Sequence, residues 1–163
     1  MLGGRVVQRL VRRHRLLPSA RALVVGDGPE AEPTCRALLE SGADVAWAGE
    51  GAGPDLPGLR RLPGHRVRAA RGGARVRAIE LQGPDGHMPF RAGLVAVCGP
   101  RAAAFELGAQ AGLPVEPRGS RGFVLRAGED GATALPWLWA AGSCTSAGVG
   151  SDVHGARAGR AAA

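Results

Sequence analysis

Short, uninterrupted apolar runs alternate with helix-patterned stretches through the first hundred residues. Val6, Val7, Leu10, Val11 and Leu17 recur at helical spacing between about Arg5 and Leu17, with Arg5, Arg9, Arg12 and Arg13 elsewhere on the wheel, and Pro18 marks a stop. Leu23–Val25 follows as a continuous apolar strand, the pattern of a strand covered on both faces. A helix is predicted from about Pro29, where a missing N–H leaves nothing unpaired, through Cys35, Leu38 and Leu39 to Gly42. Pro33 sits at the edge of what such a helix tolerates. Val45–Ala48 predicts the next strand and closes a βα-type unit of about 30 residues.

The pattern then changes. Residues 49–64, dense in Gly and Pro, read as a loop with at most a short helix. Val67, Val76, Ile79 and Leu81 stand in short alternating stretches, separated by Arg71-Gly72-Gly73 and by Gly83-Pro84-Asp85-Gly86, and predict a small antiparallel meander ending near Phe90. Leu94–Cys98 is again a continuous apolar strand, stopped by Gly99-Pro100. A helix from about Ala102 to Ala111, a turn-rich stretch, a strand at Leu138–Ala141 and a final helix from about Val153 complete the chain. The expected fold is α/β: a Rossmann-like parallel sheet with helices on both faces and a β-meander insert.

Composition narrows the function classes. With 163 residues, one domain plus a fragment of another is expected, and with only 4% aromatics the core must be built from Val, Leu and Ala. The net charge of +7 raises the question of a nucleic-acid partner. Every basic residue is Arg, however, and apart from a cluster at Arg9, Arg12, Arg13 and Arg15 they are scattered. That pattern reads as a coding bias, and no nucleic-acid partner is expected. No apolar run is long enough to span a membrane, and arginines break up the N-terminal segment where a signal peptide would need its apolar stretch. A cytoplasmic location is therefore expected. Cys35, Cys98 and Cys144 form no C-x-x-C pair and have no His at ligand spacing, so neither a metal site nor a redox dithiol is expected. His14, His65, His87 and His154 stand singly, His154 conspicuous near the start of the last helix; no catalytic residue is assigned.

The candidate chemistry lies in Gly26-Asp27-Gly28-Pro29-Glu30-Ala31, between the first strand and its helix. Gly26 permits a tight turn, Gly28 permits close backbone approach by a pyrophosphate, and Ala31 lets the helix lie near the sheet. The helix N-terminus offers N–H groups and a partial positive charge to a phosphate. The residue closing the second strand normally reads the nucleotide's ribose, an acid there favouring NAD(H) over its 2′-phosphorylated form. Glu50 is the candidate, although Gly49 competes for the slot, and Arg60 and Arg61 in the following loop would reverse the preference.

The whole order resembles the pyridine nucleotide-disulfide-type oxidoreductases, flavoproteins with two dinucleotide domains, and especially the large subunits of heteromeric amine and amino-acid oxidases such as sarcosine oxidase alpha and hydrogen cyanide synthase. Leu94–Arg101, with Gly99, resembles the strand that closes the family's NAD domain. Phe105–Leu125 resembles the connector back to its FAD domain. Leu135–Cys144, with Gly142 and Ser143, resembles the strand and turn beside the flavin ribityl chain, and Gly150–Ala163 the helix aimed at the flavin. The resemblance implies an NAD(H)-binding domain at 1–112 and the remnant of an FAD-binding domain at 113–163. It implies NAD(H) as cofactor, with FAD held only in company with a flavoprotein partner subunit, because the family's upstream FAD fingerprint has no counterpart and Ser143 stands where the family has an acid. The chain then reads as the NAD(H)-binding part of a flavin-dependent oxidoreductase, split or truncated. The alternative is a non-catalytic scaffold subunit that kept the fold and lost the ligand.

Overall fold

The computed structural model describes residues 1–73, 75–100, 102–119, 122–146 and 151–163. Arg101, Ser120, Arg121 and Gly150, which fall in the family-like segments, lie outside them. The chain divides into two compact units, residues 1–100 and 101–163.

The first unit is a five-stranded parallel sheet. Its strands are β1 (Leu2–Gly3), β2 (Arg21–Val25), β3 (Asp44–Gly49), β4 (Arg60–Pro63) and β8 (Leu94–Val97), in the order β1-β8-β2-β3-β4. Side chains alternate across it as the pleat requires. Ala22, Val24, Val45, Trp47, Leu94 and Ala96 face one layer and Leu23, Ala46, Ala48 and Val95 the other. Helices α1 (Gly4–His14) and α2 (Ala31–Glu40) cover the first layer through Val7, Val11, Cys35, Ala37 and Leu38. The second layer is covered by the antiparallel meander of β5 (Arg66–Gly72), β6 (Val76–Gly83) and β7 (Gly86–Phe90), through Val67, Ile79, Leu81, Met88 and Phe90. In this unit both helices thus share one face. The layer expected of helices on the other face is the meander itself, whose alternate apolar residues pack on the sheet.

Local chemistry explains the element ends. Arg12, Arg13 and His14 lie in the last turn of α1, where cations suit the helix dipole. The helix closes at Arg15 in the left-handed conformation (φ 51°), with the Arg15 and Leu16 N–H groups both donating to Leu10 O, so it stops before Pro18 acts. In α2 the helix begins at Ala31, two residues after Pro29. Pro33 therefore falls in the first turn, where its missing N–H has no intrahelical acceptor to lose. Gly42 (φ 81°) ends α2 with its N–H on Leu39 O. The strand β4, Arg-Arg-Leu-Pro, was read as loop; only Leu62 of the four is buried, and its pairing with β3 is a backbone matter.

In the second unit β9 (Val115–Pro117) and β10 (Phe123–Leu125) form an antiparallel pair, and α3 (Glu106–Gln110) and α4 (Ser151–Ala161) are its helices. Within this unit α3 lies on β10: a Cβ on Gly108 would meet Leu125 Cδ2 at 2.8 Å. No strand forms at Leu138–Ala141. The Leu138 N–H donates to Leu135 O (3.0 Å) and its carbonyl accepts from Thr133 Oγ1 (2.6 Å), while Trp139 makes an isolated antiparallel bridge to Ala132 and the Ala140 N–H donates to Gly131 O (2.9 Å), so pairing stops at a single bridge. Among the described residues no helix is long and apolar enough to cross a membrane.

Candidate functional site

The glycine turn is held by the ends of two neighbouring strands. Gly26 has φ 102°, a conformation glycine adopts without strain. Its N–H donates to Ala48 O (2.9 Å), and its carbonyl accepts from Trp47 Nε1 (3.0 Å). Gly28 turns back on β8: its N–H donates to Cys98 O (2.7 Å), and a Cβ there would lie 2.6 Å from Cys98 O and overlap the Gly99 carbonyl oxygen. Gly28 is thus required by the protein's own backbone. Gly99, on the far side, has open space where its Cβ would be. Ala31 opens α2, its N–H on Gly28 O.

The side chains of the turn diverge. Glu30 reaches α1, its carboxylate accepting from Arg5 Nε (2.9 Å) and Gln8 Nε2 (3.0 Å), while Gln8 also donates to the buried Thr34 hydroxyl. That network clamps α1 to α2, and Gly4 is part of it, since a Cβ there would press on Cys98 Sγ and Thr34 Oγ1. Asp27 goes the other way. Its Oδ2 accepts from the Glu50 N–H (2.9 Å) and its Oδ1 from the Gly51 N–H (3.1 Å). Gly49 ends β3, and Glu50 is the first residue beyond it, with an exposed side chain.

Asp27, Gly28, Pro29, Ala31, Glu32, Trp47 and the loop 51–54 enclose a cleft of about 410 Å³ at the N-terminus of α2. Trp47 is fully buried behind it, and Gly53 (φ 74°) lies flat on its ring. The structure thus gathers Asp27, Gly28, Pro29 and Ala31 around one cleft, sends Glu30 to α1, and leaves Glu50 beside the loop. Arg61 pairs with Asp55 (3.5 Å), and Arg60 lies over the Phe90 ring at 5.8 Å. The role of Asp27 in tying the loop was invisible in sequence, because the x of a G-x-G turn carries no preferred type.

In the second unit Gly142 has φ 87° and sits in a turn, with Ser143 exposed beside it. Its N–H donates to Nδ1 of the fully buried His154 (3.2 Å), whose Nε2 then donates to Gly128 O (3.3 Å). His154 thus accepts at Nδ1 and donates at Nε2, and pins α4 to two turns. Among the described residues no group of His, Cys, Asp or Glu is arranged to hold a metal.

Of the three thiols, burial raises Cys35 to about 12, with the neighbouring Cys98 adding to it, and burial also raises Cys98 against the opposing effect of its Thr34 hydrogen bond. The thiolate is the nucleophile. A thiol reagent near neutral pH is expected to modify Cys144 alone in the native protein, and Cys35 and Cys98 only after unfolding; mass spectrometry of the alkylated chain checks this.

These features define a Rossmann-like α/β fold carrying a β-meander. More particularly, the fold is that of the FAD/NAD(P)-binding pyridine nucleotide-disulfide oxidoreductases. It is similar to Lactococcus lactis thioredoxin reductase (TM-score 0.76, 13% identity, 94% of this chain and 55% of that one). It is similar also to the NAD-dependent persulfide reductase of A. fulgidus (0.62, 19%, 78% and 25%) and to a ferredoxin reductase from Rhodopseudomonas palustris (0.63, 21%, 83% and 36%). At these identities the likeness establishes the fold, and the chain spans about half the length of these structures or less. No protein-family model and no curated protein matches the sequence.

Proposed function

We propose that the chain is the NAD(H)-holding part of a flavin-dependent oxidoreductase, and that a partner chain supplies most of the flavin site. The observation that carries this reading is the cleft itself: a positive-φ glycine turn delivers the N-terminus of α2 to a cavity of about 410 Å³ that is roomy enough for part of a nucleotide. One of the similar structures is an NAD-dependent reductase, which fits the same reading. Bound nicotinamide would supply hydride; this chain's residues would hold and orient it. Pro33, awkward in a helix interior, is no obstacle in a first turn.

One observation favours the scaffold reading. The Gly28 and Ala31 N–H groups are spent on Cys98 O and Gly28 O, and Pro29 and Pro33 have none, so the cradle is poor in donors for a pyrophosphate. Calorimetry of the whole chain with NADH separates the two. Binding is expected, weakened on the order of tenfold or more by Ala52→Trp, which fills the cleft mouth from an exposed position. The purified chain is expected to be colourless, retaining no FAD. Absence of heat from wild type, or equal heats from the two proteins, would leave the scaffold reading standing.

A further inference from the structure

We infer that Asp27, standing in the glycine turn, is the side chain that reads the ribose of the nucleotide and excludes a 2′-phosphate. This rests on the nucleotide reading above and deepens it. The usual place for such an acid is the end of the second strand. Here β3 ends in Gly49, which has no side chain to offer. The space a side chain would use there is filled by two residues: a Cβ on Gly49 would press on Trp47 Cζ2 and lie 2.8 Å and 2.9 Å from the two carboxylate oxygens of Asp27. A Cβ on Gly51 would lie 3.0 Å from Asp27 Oδ1. The glycines at 49 and 51 are what the loop needs to close around a carboxylate arriving from β2.

The carboxylate is also held in place. Each oxygen accepts one loop N–H, from Glu50 and from Gly51, which fixes both the side chain and the loop. A carboxylate has about four acceptor sites, so each oxygen keeps capacity for a further donor. Asp27 lines the cleft, and those remaining sites suit the vicinal hydroxyls of a ribose. A 2′-phosphate would instead bring a second anion against the carboxylate. Glu32, also in the cleft lining, adds negative charge, offset by its pair with Arg36 (2.7 Å). Neither Arg60 nor Arg61 lines the cleft: Arg61 pairs with Asp55 (3.5 Å) and Arg60 lies over the Phe90 ring (5.8 Å). Glu50 contributes its backbone N–H to the arrangement, and its exposed side chain is not part of the cleft lining.

The test compares NADH, NADPH and 2′-deoxy-NADH, the last lacking the adenosine 2′-hydroxyl, on the whole chain by calorimetry. Wild type is expected to bind NADH on the order of tenfold or more better than either analogue. Asp27→Asn should bring both ratios toward one, while Glu50→Gln leaves both within about a factor of two. The thermal midpoint of each variant, read in parallel, separates a loosened loop from lost discrimination. Should Asp27→Asn fail to fold, discrimination retained by Glu50→Gln supports the assignment, and discrimination lost there overturns it. Ratios that collapse in Glu50→Gln and persist in Asp27→Asn overturn it in favour of Glu50. Tight NADH binding indifferent to the 2′ group overturns it and leaves the nucleotide reading intact. No binding of any of the three overturns both.

Discussion

Gly28→Ala is expected to destabilise the first unit by about 3–5 kcal/mol, a cost usual only for severe overpacking. The added methyl would overlap the Gly99 carbonyl oxygen and lie 2.6 Å from that of Cys98. Both are backbone atoms at the end of β8, so neither can swing aside as a flexible side chain would. Relief requires the turn to lift off the sheet and the Gly28 N–H to Cys98 O bond (2.7 Å) to break. Gly99→Ala is the control, since its Cβ meets open space and should change stability by less than about 0.5 kcal/mol. Urea unfolding of the two variants decides the matter; a Gly28→Ala midpoint equal to wild type would show that the turn is not backed onto β8. Loss of nucleotide binding in a Gly28 variant, taken alone, therefore says nothing about a pyrophosphate contact.

Trp47→Ala should cost a similar amount, about 3–5 kcal/mol. The ring is fully buried in the helix-side layer, with Gly53 on its face and Gly49 at its edge, and its Nε1–H donates to Gly26 O (3.0 Å). Removing it empties the floor of the cleft and frees the loop that Asp27 ties down. Trp47→Phe keeps much of the packing and leaves the Gly26 carbonyl without that donor, for a loss nearer 1 kcal/mol. The two variants separate packing from hydrogen bonding in the same unfolding experiment. If alanine and phenylalanine cost the same, the ring is not what supports the turn.

Much of the first unit could be read from the sequence because its signals are local. A continuous apolar run before Gly26, a proline near the helix start and Gly42 after it name a strand, a turn and a helix without reference to anything distant. The meander was legible for the same reason, since Gly72-Gly73 and Gly83–Gly86 cut the alternation into hairpins. What escaped depends on neighbours. β4 is charged and short, and becomes a strand only because β3 offers it a backbone edge. Leu138–Ala141 looks like a strand by composition, yet a turn takes the groups of Leu138 and leaves one isolated bridge, Trp139 to Ala132. Within the site, Gly28 was read as making room for a ligand, whereas the room is taken by β8. Asp27 and Glu30 flank the same Gly28-Pro29 pair and are both acids, and only the packing of α1 and the path of the loop after β3 send one to the cleft and the other to a helix clamp.

The sheet order also sets a timetable. Among the described residues β1 pairs only with β8, and β8 lies between β1 and β2. Until Leu94–Val97 has been synthesised, β1 has no neighbour and β2 presents a bare edge of unpaired N–H and C=O groups in an apolar strand. The intervening meander must emerge first, and the closure of that long loop is the entropically slow step. Translation arrested before Val97 would leave a nascent chain with an open parallel edge, the form of this protein most prone to joining another strand.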